Sequence, residues 1–336
     1  MAKQKNKVVS FGARLRRPVS KEAWAQSRSV AVLLPCYNEE LTIGETVRGF
    51  QAALPSATVY VYDNNSTDRS LQVAEDAGAV VRKEAYQGKG NVVRRMLSDV
   101  DADIYVLADG DLTYDPTHAV TLINKLVEDS LDMVVGTREG GGVSAYRPGH
   151  KTGNRAFNKL VEKLFGRGFT DILSGYRVVS RRFAKSFPAL SSGFEIETEL
   201  SVHALDLRIP AGEVALPYAP RPEGSSSKLR TWRDGGRILW LIFKIYRSLN
   251  PLRFYGSIGL GLAALAALLG LPAFWDWLES GAAPQLPIVV LCLATMQIAI
   301  LCGFVGIVLN SISKTRREAR RMHFLNLTLS SQRDAR

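Results

Sequence analysis

Short apolar runs alternate with longer, helix-like segments from Val30 onward. The runs have the length and the β-branched content of buried strands, and the segments between them place apolar residues at helical spacing. In chain order the strand-like runs are VAVLLP, TVYVYD, AVVRK, DIYVLAD and DMVVGTR. Such an alternation predicts an α/β domain with a mostly parallel sheet and right-handed crossovers. We expect this domain to cover residues 30–230.

The hydrophobic pattern changes toward the C-terminus, where long apolar stretches carry no charge. Residues 256–274 are uncharged for 19 positions, and residues 286–309 are uncharged for 24. Roughly 20 apolar residues in a helix span a hydrocarbon core of about 30 Å. The sequence therefore predicts transmembrane helices at 251–275 and 286–310. A buried helical hairpin in a soluble core is the alternative.

The charges around these two stretches indicate their orientation. The linker WDWLESGAAPQ has two acids and no Lys or Arg, whereas KTRREARR follows the second stretch. Because basic segments stay on the cytoplasmic side, we expect a multi-pass protein of the inner (cytoplasmic) membrane, with the α/β domain and both termini cytoplasmic. Residues 231–250 mix Trp, Ile and Leu with Arg and Lys, which is typical of juxtamembrane amphipathic helices.

The net charge of +11 comes from the two chain ends. Residues 1–29 hold eight Lys or Arg and one acid, and residues 311–336 hold seven and two. The remaining 28 basic and 29 acidic residues leave the body near neutral, which disfavours nucleic acid as a partner. We interpret the ends as a basic N-terminal arm and a basic cytoplasmic tail that seek a surface such as an anionic membrane.

Polar clusters follow three of the apolar runs: PCYNEE, DNNSTD and DGDLTYD. The carboxyl ends of parallel strands meet at one edge of a sheet, which is where ligands bind. Asp109 and Asp111 repel each other beside a low-dielectric core, so a positive partner is expected there. Two carboxylates at this spacing can bind one divalent cation, Mg²⁺ or Mn²⁺. For this motif taken alone, a solvated turn is the alternative.

Seven motifs in this order resemble those of the family 2 glycosyltransferases of the GT-A fold: VLLPCYNEE, YVYDNNSTDRS, YQGKGNVVR, VLADGDLTYD, VGTR, TDILSGYR and RPEGSSSKL. They are most similar to the branch that makes polyprenyl-phosphate sugars, such as dolichyl-phosphate mannose synthase and the bacterial undecaprenyl-phosphate sugar transferases. The resemblance covers about residues 30–230. It implies a Rossmann-like catalytic domain, followed here by amphipathic interfacial helices and a two-helix transmembrane hairpin.

The resemblance also implies roles for single residues. Nucleotide-sugar binding would fall to Pro35, Tyr37, Asn38, Glu39, Asp63, Asn65, Lys89 and Asp109. Asp109 and Asp111 match the metal motif, and with Arg177 they are the catalytic candidates. Thr113 stands where many members of this branch have Gln, which leaves the third protein ligand of the cation open.

Basic residues further along match the acceptor and closing-loop positions of the family. Arg138, Arg147 and Lys151 would bind the acceptor phosphate, since guanidinium forks fit phosphate geometry. Solvated loop charges are the alternative, chiefly for the last two. Arg221 and Lys228 would contact the diphosphate or the donor sugar once their loop closes.

The implied reaction is inverting transfer of a hexose from a UDP- or GDP-sugar to the phosphate of a polyprenyl phosphate. A phosphate nucleophile is already ionised at neutral pH, so we interpret Glu195, Glu197 and Glu199 as donor-sugar contacts or helix-surface acids. A glycan or another lipid as acceptor is disfavoured by the absence of a QxxRW motif. A non-catalytic membrane scaffold is disfavoured by the intact Asp pair. Whether the chain forms a homo-oligomer stays open.

Overall fold

The computed structural model describes residues 24, 27–139, 162, 164, 169–219, 221–222, 231–281 and 286–333. Within them, a seven-stranded sheet forms the centre of the catalytic domain, in the order β3-β2-β1-β4-β6-β5-β7. The strands are β1 Val30–Cys36, β2 Thr58–Asp63, β3 Val80–Lys83, β4 Ile104–Leu107, β5 Met133–Glu139, β6 Arg177–Ser180 and β7 Ala211–Pro217.

The sheet is mostly parallel, as the sequence predicted. Strand β1 pairs in parallel with β2 and β4, β2 with β3, and β5 with β7. Only β6 runs the other way among the described strands, and it pairs antiparallel with both β4 and β5. The segment TDILSGYRVV therefore enters the sheet between two strands of the alternating unit, which the sequence pattern did not show.

Among the described residues, six helices cover the two faces of this sheet: α1 Ile43–Ala53, α2 Ser70–Asp76, α3 Lys89–Asp99, α4 His118–Glu128, α5 Arg181–Ser186 and α6 Ile196–Leu207. Alternate residues of β1 supply the two cores, as the pleat of a strand requires. Val32 packs with α1, α2 and α4, whereas Leu33 packs with α3, α5 and α6. Trp24 adds to the first core, and its indole N–H donates to Asn124 Oδ1 at 2.7 Å.

Three further helices lie C-terminal to the sheet: α7 Thr231–Leu249, α8 Pro251–Ser280 and α9 Leu286–Arg333. Helix α7 packs on the catalytic domain through Ile238 and Ile242, which contact Ile172, while its Trp240 is exposed. Apolar side chains therefore lie on more than one side of α7, so the helix agrees with the amphipathic interpretation only in part.

Helices α8 and α9 are both long and apolar enough to cross a membrane, and their most apolar stretches are almost entirely exposed. They pack closely on each other through small residues. A Cβ on Gly259 would lie 2.8 Å from the carbonyl oxygen of Ala299, so only glycine fits there. Leu260, Leu268 and Phe304 point outward. An apolar surface of this extent is typical of a lipid-facing hairpin rather than a soluble core.

The basic C-terminal end differs from its sequence interpretation. Helix α9 continues without interruption from the apolar stretch to Arg333, and its basic part packs against the catalytic domain. Arg317 and Arg320 both reach the carboxylate of Asp206, and Phe324 is buried in the core of α3, α5 and α6. These described residues therefore bind the protein itself and do not form a free, surface-seeking tail. Most of residues 1–29 lie outside the described part of the chain.

Candidate active site

The three polar clusters meet at the carboxyl edge of the sheet, as the parallel pairing dictates. In the β1–β2 register Cys36 lies opposite Asp63, and the backbone N–H of Asn64 donates to the carbonyl of Cys36 at 2.8 Å. Strand β4 lies on the other side of β1 and leads directly into Asp109. Strand ends β1, β2 and β4 thus converge on one site, in agreement with the position where α/β sheets bind ligands.

The DGDLT segment has a strained backbone that aims its two carboxylates into this site. Leu112 has a φ of 59°, an uncommon conformation for a residue with a branched side chain. A Cβ on Gly110 would come within 2.9 Å of Ile43, and its carbonyl accepts a hydrogen bond from Thr42 at 2.8 Å. The packing against α1 therefore fixes the turn that separates the two acids.

Thr113 bonds to one of these carboxylates instead of extending past it. Its hydroxyl donates to Asp111 Oδ1 at 2.5 Å, and its backbone N–H donates to the same oxygen at 3.1 Å. The side chain is fully buried. Thr113 consequently orients Asp111, and the other carboxylate oxygen, Oδ2, points toward Arg221.

Two cationic side chains supply the positive partners that the acid pair requires. Asp111 is only 2 % exposed, and burial together with the charge of Asp109 raises its pKa. Arg221 forms an ion pair with Asp111 Oδ2, and its second nitrogen lies 3.5 Å from Glu39 Oε1. Lys89 lies 2.5 Å from Asp109 Oδ1. The site is therefore a network of alternating charges at the edge of a low-dielectric core.

Lys89 has a second carboxylate partner, which the sequence interpretation missed. Its Nζ lies 2.5 Å from Glu197 Oε1, and Glu197 is buried at the first turn of α6. Burial alone would lower the pKa of Lys89, but the charges of Asp109 and Glu197 outweigh that effect and raise it. Lys89 is thus a charged bridge between β4 and α6.

The glycines beside Lys89 are there because another loop lies against them. A Cβ on Gly88 or Gly90 would fall 2.2 Å from a backbone carbonyl of the loop at Ser191 and Ser192. Glu199 holds this loop from α6, since its carboxylate accepts the backbone N–H groups of Leu190 and Ser191 at 2.9 and 2.8 Å. Glu197 and Glu199 are buried, so their interpretation as helix-surface acids is wrong.

The residues predicted to bind the nucleotide line the same edge. Asp63 is buried at the end of β2 and accepts the N–H of Ser66 at 3.2 Å. Asn38 and Asn65 both have positive φ, of 53° and 64°, which is the conformation that Asn tolerates best after Gly. Asn38 Oδ1 accepts the N–H of Thr67 at 2.7 Å. These side chains shape the loops, and their contact with a nucleotide stays a prediction.

Other predicted residues of this group differ in exposure. Glu39 is buried, and its backbone N–H donates to Ser70 Oγ at 2.7 Å. Tyr37 is 36 % exposed, so its ring is available at the site opening. Pro35 lines a cavity together with Lys89 and Asp109. Its position at the floor of the site follows from its place in β1.

Arg138 has a buried ion-pair partner in the described structure. Its Nε and Nη2 donate to the two oxygens of Asp171 at 2.7 and 2.8 Å, a bidentate pair. The ring of Tyr218 lies 5.6 Å from the guanidinium carbon, and the pKa of Arg138 is raised by Asp171 despite burial. The alternative of a solvated loop charge therefore does not apply, and binding of an acceptor phosphate by Arg138 stays a prediction.

Arg177 lines the same cavity as Lys89 and Asp109 but is 1 % exposed. Its Nε and Nη2 donate to the backbone carbonyls of Ser174 and Ile172 at 2.9 and 2.8 Å, and burial lowers its pKa to about 10. The guanidinium is therefore still charged at neutral pH. Its described hydrogen bonds hold the loop before β6, so a direct catalytic role stays a prediction.

Three predicted residues, Arg147, Lys151 and Lys228, lie outside the described part of the chain. Within the described residues, no group of three or more His, Cys, Asp or Glu side chains is arranged as a metal site. A hard cation often takes one or two carboxylates and completes its shell with substrate phosphates and water. Half-buried Asp109 and buried Asp111, two carboxylates at one edge of the sheet, fit that kind of partial site.

Comparison with known proteins agrees with this geometry. The family model described as "Glycosyl transferase family 2" matches residues 31–187. Glycosyltransferase AglJ of Haloferax volcanii is 33% identical over 296 residues, which is 86% of this chain and 95% of that protein. The dodecaprenyl-phosphate galacturonate synthase of Rhizobium johnstonii is 26% identical, and the match covers 81% of this chain and 85% of that protein.

Among solved structures, the glucosyl-3-phosphoglycerate synthase of Mycobacterium tuberculosis, in complex with Mn²⁺, UDP-glucose and phosphoglyceric acid, superposes with a TM-score of 0.55. It is 23% identical and covers 71% of this chain and 85% of its own, so the likeness concerns the fold. The expectation of a GT-A catalytic domain is confirmed. The chain is an enzyme that belongs to the family 2 glycosyltransferases.

Proposed function

We propose that this protein transfers a hexose from a nucleotide sugar to the phosphate of a polyprenyl phosphate at the cytoplasmic face of the membrane. The observation that carries the proposal is that one chain joins an Asp pair, balanced by Lys89 and Arg221, to two exposed apolar helices. A relative named for dodecaprenyl-phosphate galacturonate synthesis, similar over 81% of this chain, supports a lipid phosphate as acceptor.

Asp109 and Asp111 would hold the divalent cation, Mg²⁺ or Mn²⁺. Bound there, the cation would neutralise negative charge on the departing nucleoside diphosphate. The fold neighbour crystallised with Mn²⁺ and UDP-glucose supports a cation at this edge. Thr113 would keep Asp111 in its binding orientation, because both its hydroxyl and its N–H donate to the carboxylate.

Lys89 and Arg221 would stabilise the leaving diphosphate. Both cations already lie against the carboxylates, so a diphosphate arriving at the edge meets positive charge on either side. Preorganised charge of this kind lowers the barrier because it needs no rearrangement when the bond breaks. Arg221 belongs to a segment whose following residues lie outside the described part, and Lys228 among them is proposed for the same task.

The acceptor phosphate would attack the anomeric carbon directly, with inversion. A phosphate monoester is already anionic at neutral pH, so positioning would supply most of the effect and no general base is needed. Arg138, Arg147 and Lys151 are proposed to bind this phosphate. For Arg138 this requires sharing its guanidinium between the phosphate and Asp171, which the five N–H donors of arginine permit.

The packing of α9 supports the proposed topology, with the catalytic domain and the C-terminus on the same side. The basic part of α9 contacts the catalytic domain through Arg317 and Asp206, after the apolar part of the same helix. A hairpin that crosses the membrane twice returns the chain to the side where it started. The basic residues there favour the cytoplasm for that side by the positive-inside rule.

The test is a transfer assay on the purified full-length protein in detergent. A panel of UDP- and GDP-sugars is incubated with Mg²⁺ or Mn²⁺, with and without polyprenyl phosphate, and nucleoside diphosphate release is followed. We expect release that requires the lipid, the cation and one donor. Lipid-independent hydrolysis of a bound donor in every case would disprove the acceptor while leaving the transferase class intact.

A matched pair of variants checks the carboxylate site in the same assay. Asp111→Asn keeps the size of the side chain and removes its charge, and we expect at least a 100-fold loss of transfer. Asp129→Asn makes the same change at the exposed residue that follows α4 and pairs with Lys125, and it should leave transfer unchanged. Undiminished turnover by the first variant would contradict the metal assignment.

A further inference from the structure

The basic end of α9, residues 311–333 and called here the docked segment, makes a specific ionic contact with α6. Arg317 Nε donates to Asp206 Oδ1 at 2.7 Å, and Arg320 Nη2 lies 2.8 Å from Oδ2. The side chain of Asp206 is only 1 % exposed. A carboxylate that is buried under two guanidinium groups depends on them, because removing both would leave its charge without compensation.

A third arginine strengthens this contact at the end of α6. Arg321 Nη1 donates to the carbonyl of Leu207, the last residue of α6, at 2.9 Å. The chain then turns through Arg208, whose φ of 52° is left-handed. The last carbonyls of a helix lack partners within the helix and carry partial negative charge. The docked segment therefore places three positive side chains on the negative end of α6.

Apolar packing fixes the docked segment as well. Phe324 is 7 % exposed and belongs to the same core as the buried residues of α3, α5 and α6. The guanidinium carbon of Arg182 lies 4.9 Å from the centre of its ring, and Arg182 itself pairs with buried Asp132. The contact is therefore an integral part of the domain's packing.

The docked segment and the membrane-crossing part of α9 are one rigid element. Helix α9 has 48 residues, which at 1.5 Å per residue gives a rod of roughly 70 Å. Helix α6, with 12 residues, carries Glu197 and Glu199 near its start and Asp206 near its end. Helix α6 thus contributes a partner to Lys89 in the active site and is also the helix that α9 contacts.

A second attachment restricts rotation of the catalytic domain about the contact between the docked segment and α6. Ile238 and Ile242 of α7 pack against Ile172 in the loop before β6. Ser313 of α9 donates to the carbonyl of Ser248 at the end of α7, at 2.8 Å. The catalytic domain is therefore joined to the membrane helices at two separate places, and these two places are themselves linked.

We propose that Arg317, Arg320 and Arg321 are positioning residues that set the height and tilt of the catalytic edge over the membrane. The docked segment would hold the site at a fixed position, where it meets a phosphate carried at the membrane surface. A loosely tethered domain would first have to find that phosphate by diffusion. This inference rests on the proposed function in one respect, namely that the acceptor is a membrane lipid.

The test uses the full-length protein in liposomes that contain polyprenyl phosphate. Arg317→Ala/Arg320→Ala removes the ion pair, and Arg317→Lys/Arg320→Lys keeps its charge. Lys314→Ala/Arg316→Ala removes the same charge from exposed positions of the same helix and serves as the control. Transfer, donor affinity and slow donor hydrolysis are measured for all three variants and for the wild type.

We expect the alanine pair to lower kcat/KM for the lipid by about tenfold while donor affinity and hydrolysis remain unchanged, because only the placement of the site is altered. The lysine pair should recover most of the rate, and the control should match the wild type. Wild-type rates in the alanine pair would overturn the inference alone, as would an equal loss of donor affinity and lipid transfer. An inactive wild type would instead overturn the proposed acceptor, and the inference with it.

Discussion

Two sites that each contain a buried carboxylate, one near the start of α6 and one near its end, have different kinds of cationic partner. At the catalytic edge, Asp109 and Asp111 are balanced by Lys89 and Arg221, whose side chains come from the first turn of a helix and from a connecting segment. At the far end of α6, Asp206 is balanced by arginines on a continuous 48-residue helix. Burial creates the same demand for positive charge at both places, but the proposed function requires only the first site to exchange its partners with a ligand.

The largest expected effect comes from breaking the bridge at the catalytic edge. Lys89→Met leaves Asp109 and Glu197 together without their shared cation, and we expect the free energy of unfolding to fall by about 3 kcal/mol. Transfer should fall at least 100-fold. Denaturant unfolding and the nucleoside diphosphate assay measure the two effects.

A double variant separates the structural from the catalytic effect of this lysine. Lys89→Met/Glu197→Gln also removes the second charge, so we expect it to regain much of the lost stability and none of the lost transfer. If transfer returned together with stability, Lys89 would act only through folding. The site would then resemble the Asp206 site, and the difference drawn between the two would not hold.

A smaller effect tests whether Arg221 is replaceable by a metal. Arg221→Ala frees Asp111 from its ion pair, so Mn²⁺ should bind roughly tenfold more tightly to the donor-free protein, a change of about 1.4 kcal/mol. Transfer should slow, since the leaving diphosphate loses a cation. Calorimetric titration with Mn²⁺ measures the affinity, and Arg95→Ala at an exposed site on α3 is the control. Unchanged or weaker Mn²⁺ binding would contradict the idea that a metal can replace Arg221 at Asp111.

The effect that is smallest at neutral pH concerns His203, near the Asp206 site. Burial, with a contribution from the charge of Arg320, lowers the pKa of His203 on α6 from 6.5 to about 4. At pH values between about 4 and 6.5, the unfolded chain therefore binds a proton at His203 that the folded chain does not bind. The free energy of unfolding consequently decreases as the pH falls from about 6.5 toward 4. His203→Phe should unfold with a flatter pH dependence than the wild type in this window. Equal slopes would show that His203 is accessible to protons in the folded protein.

Much of the fold followed from short-range patterns. The strand-like runs and the segments between them predicted the parallel arrangement of β1, β2, β3 and β4, since strand period and helix spacing are local properties. The strand in TDILSGYRVVSRR was expected, but its antiparallel direction was not, because its sequence, RVVS, resembles any short strand. The direction of a strand depends on where the preceding loop enters the sheet, and the sequence pattern does not indicate that point of entry.

The candidate site was predictable where motif residues stand at the end of a strand, as Asp63 does, or just beyond it, as Asp109 does. Glu197 was misinterpreted because α6 is buried on nearly all sides and yet carries Glu, Ser and His, a composition that suggests solvent. Asp171 was passed over although it stands in one of the matched motifs. Its pairing with Arg138 joins positions 33 residues apart, and nothing local indicates it.

The sequence by itself determined the α/β class, the two apolar helices and the position of the acid pair, because these depend on periodicity, length and motif spacing within a few residues. Tertiary structure decided which charges neutralise one another. Arg317 looks like a solvated tail residue in the sequence, yet its partner Asp206 is 111 residues away and buried. Desolvation makes such a charge depend on whatever cation the fold brings to it, and only the fold specifies which one arrives.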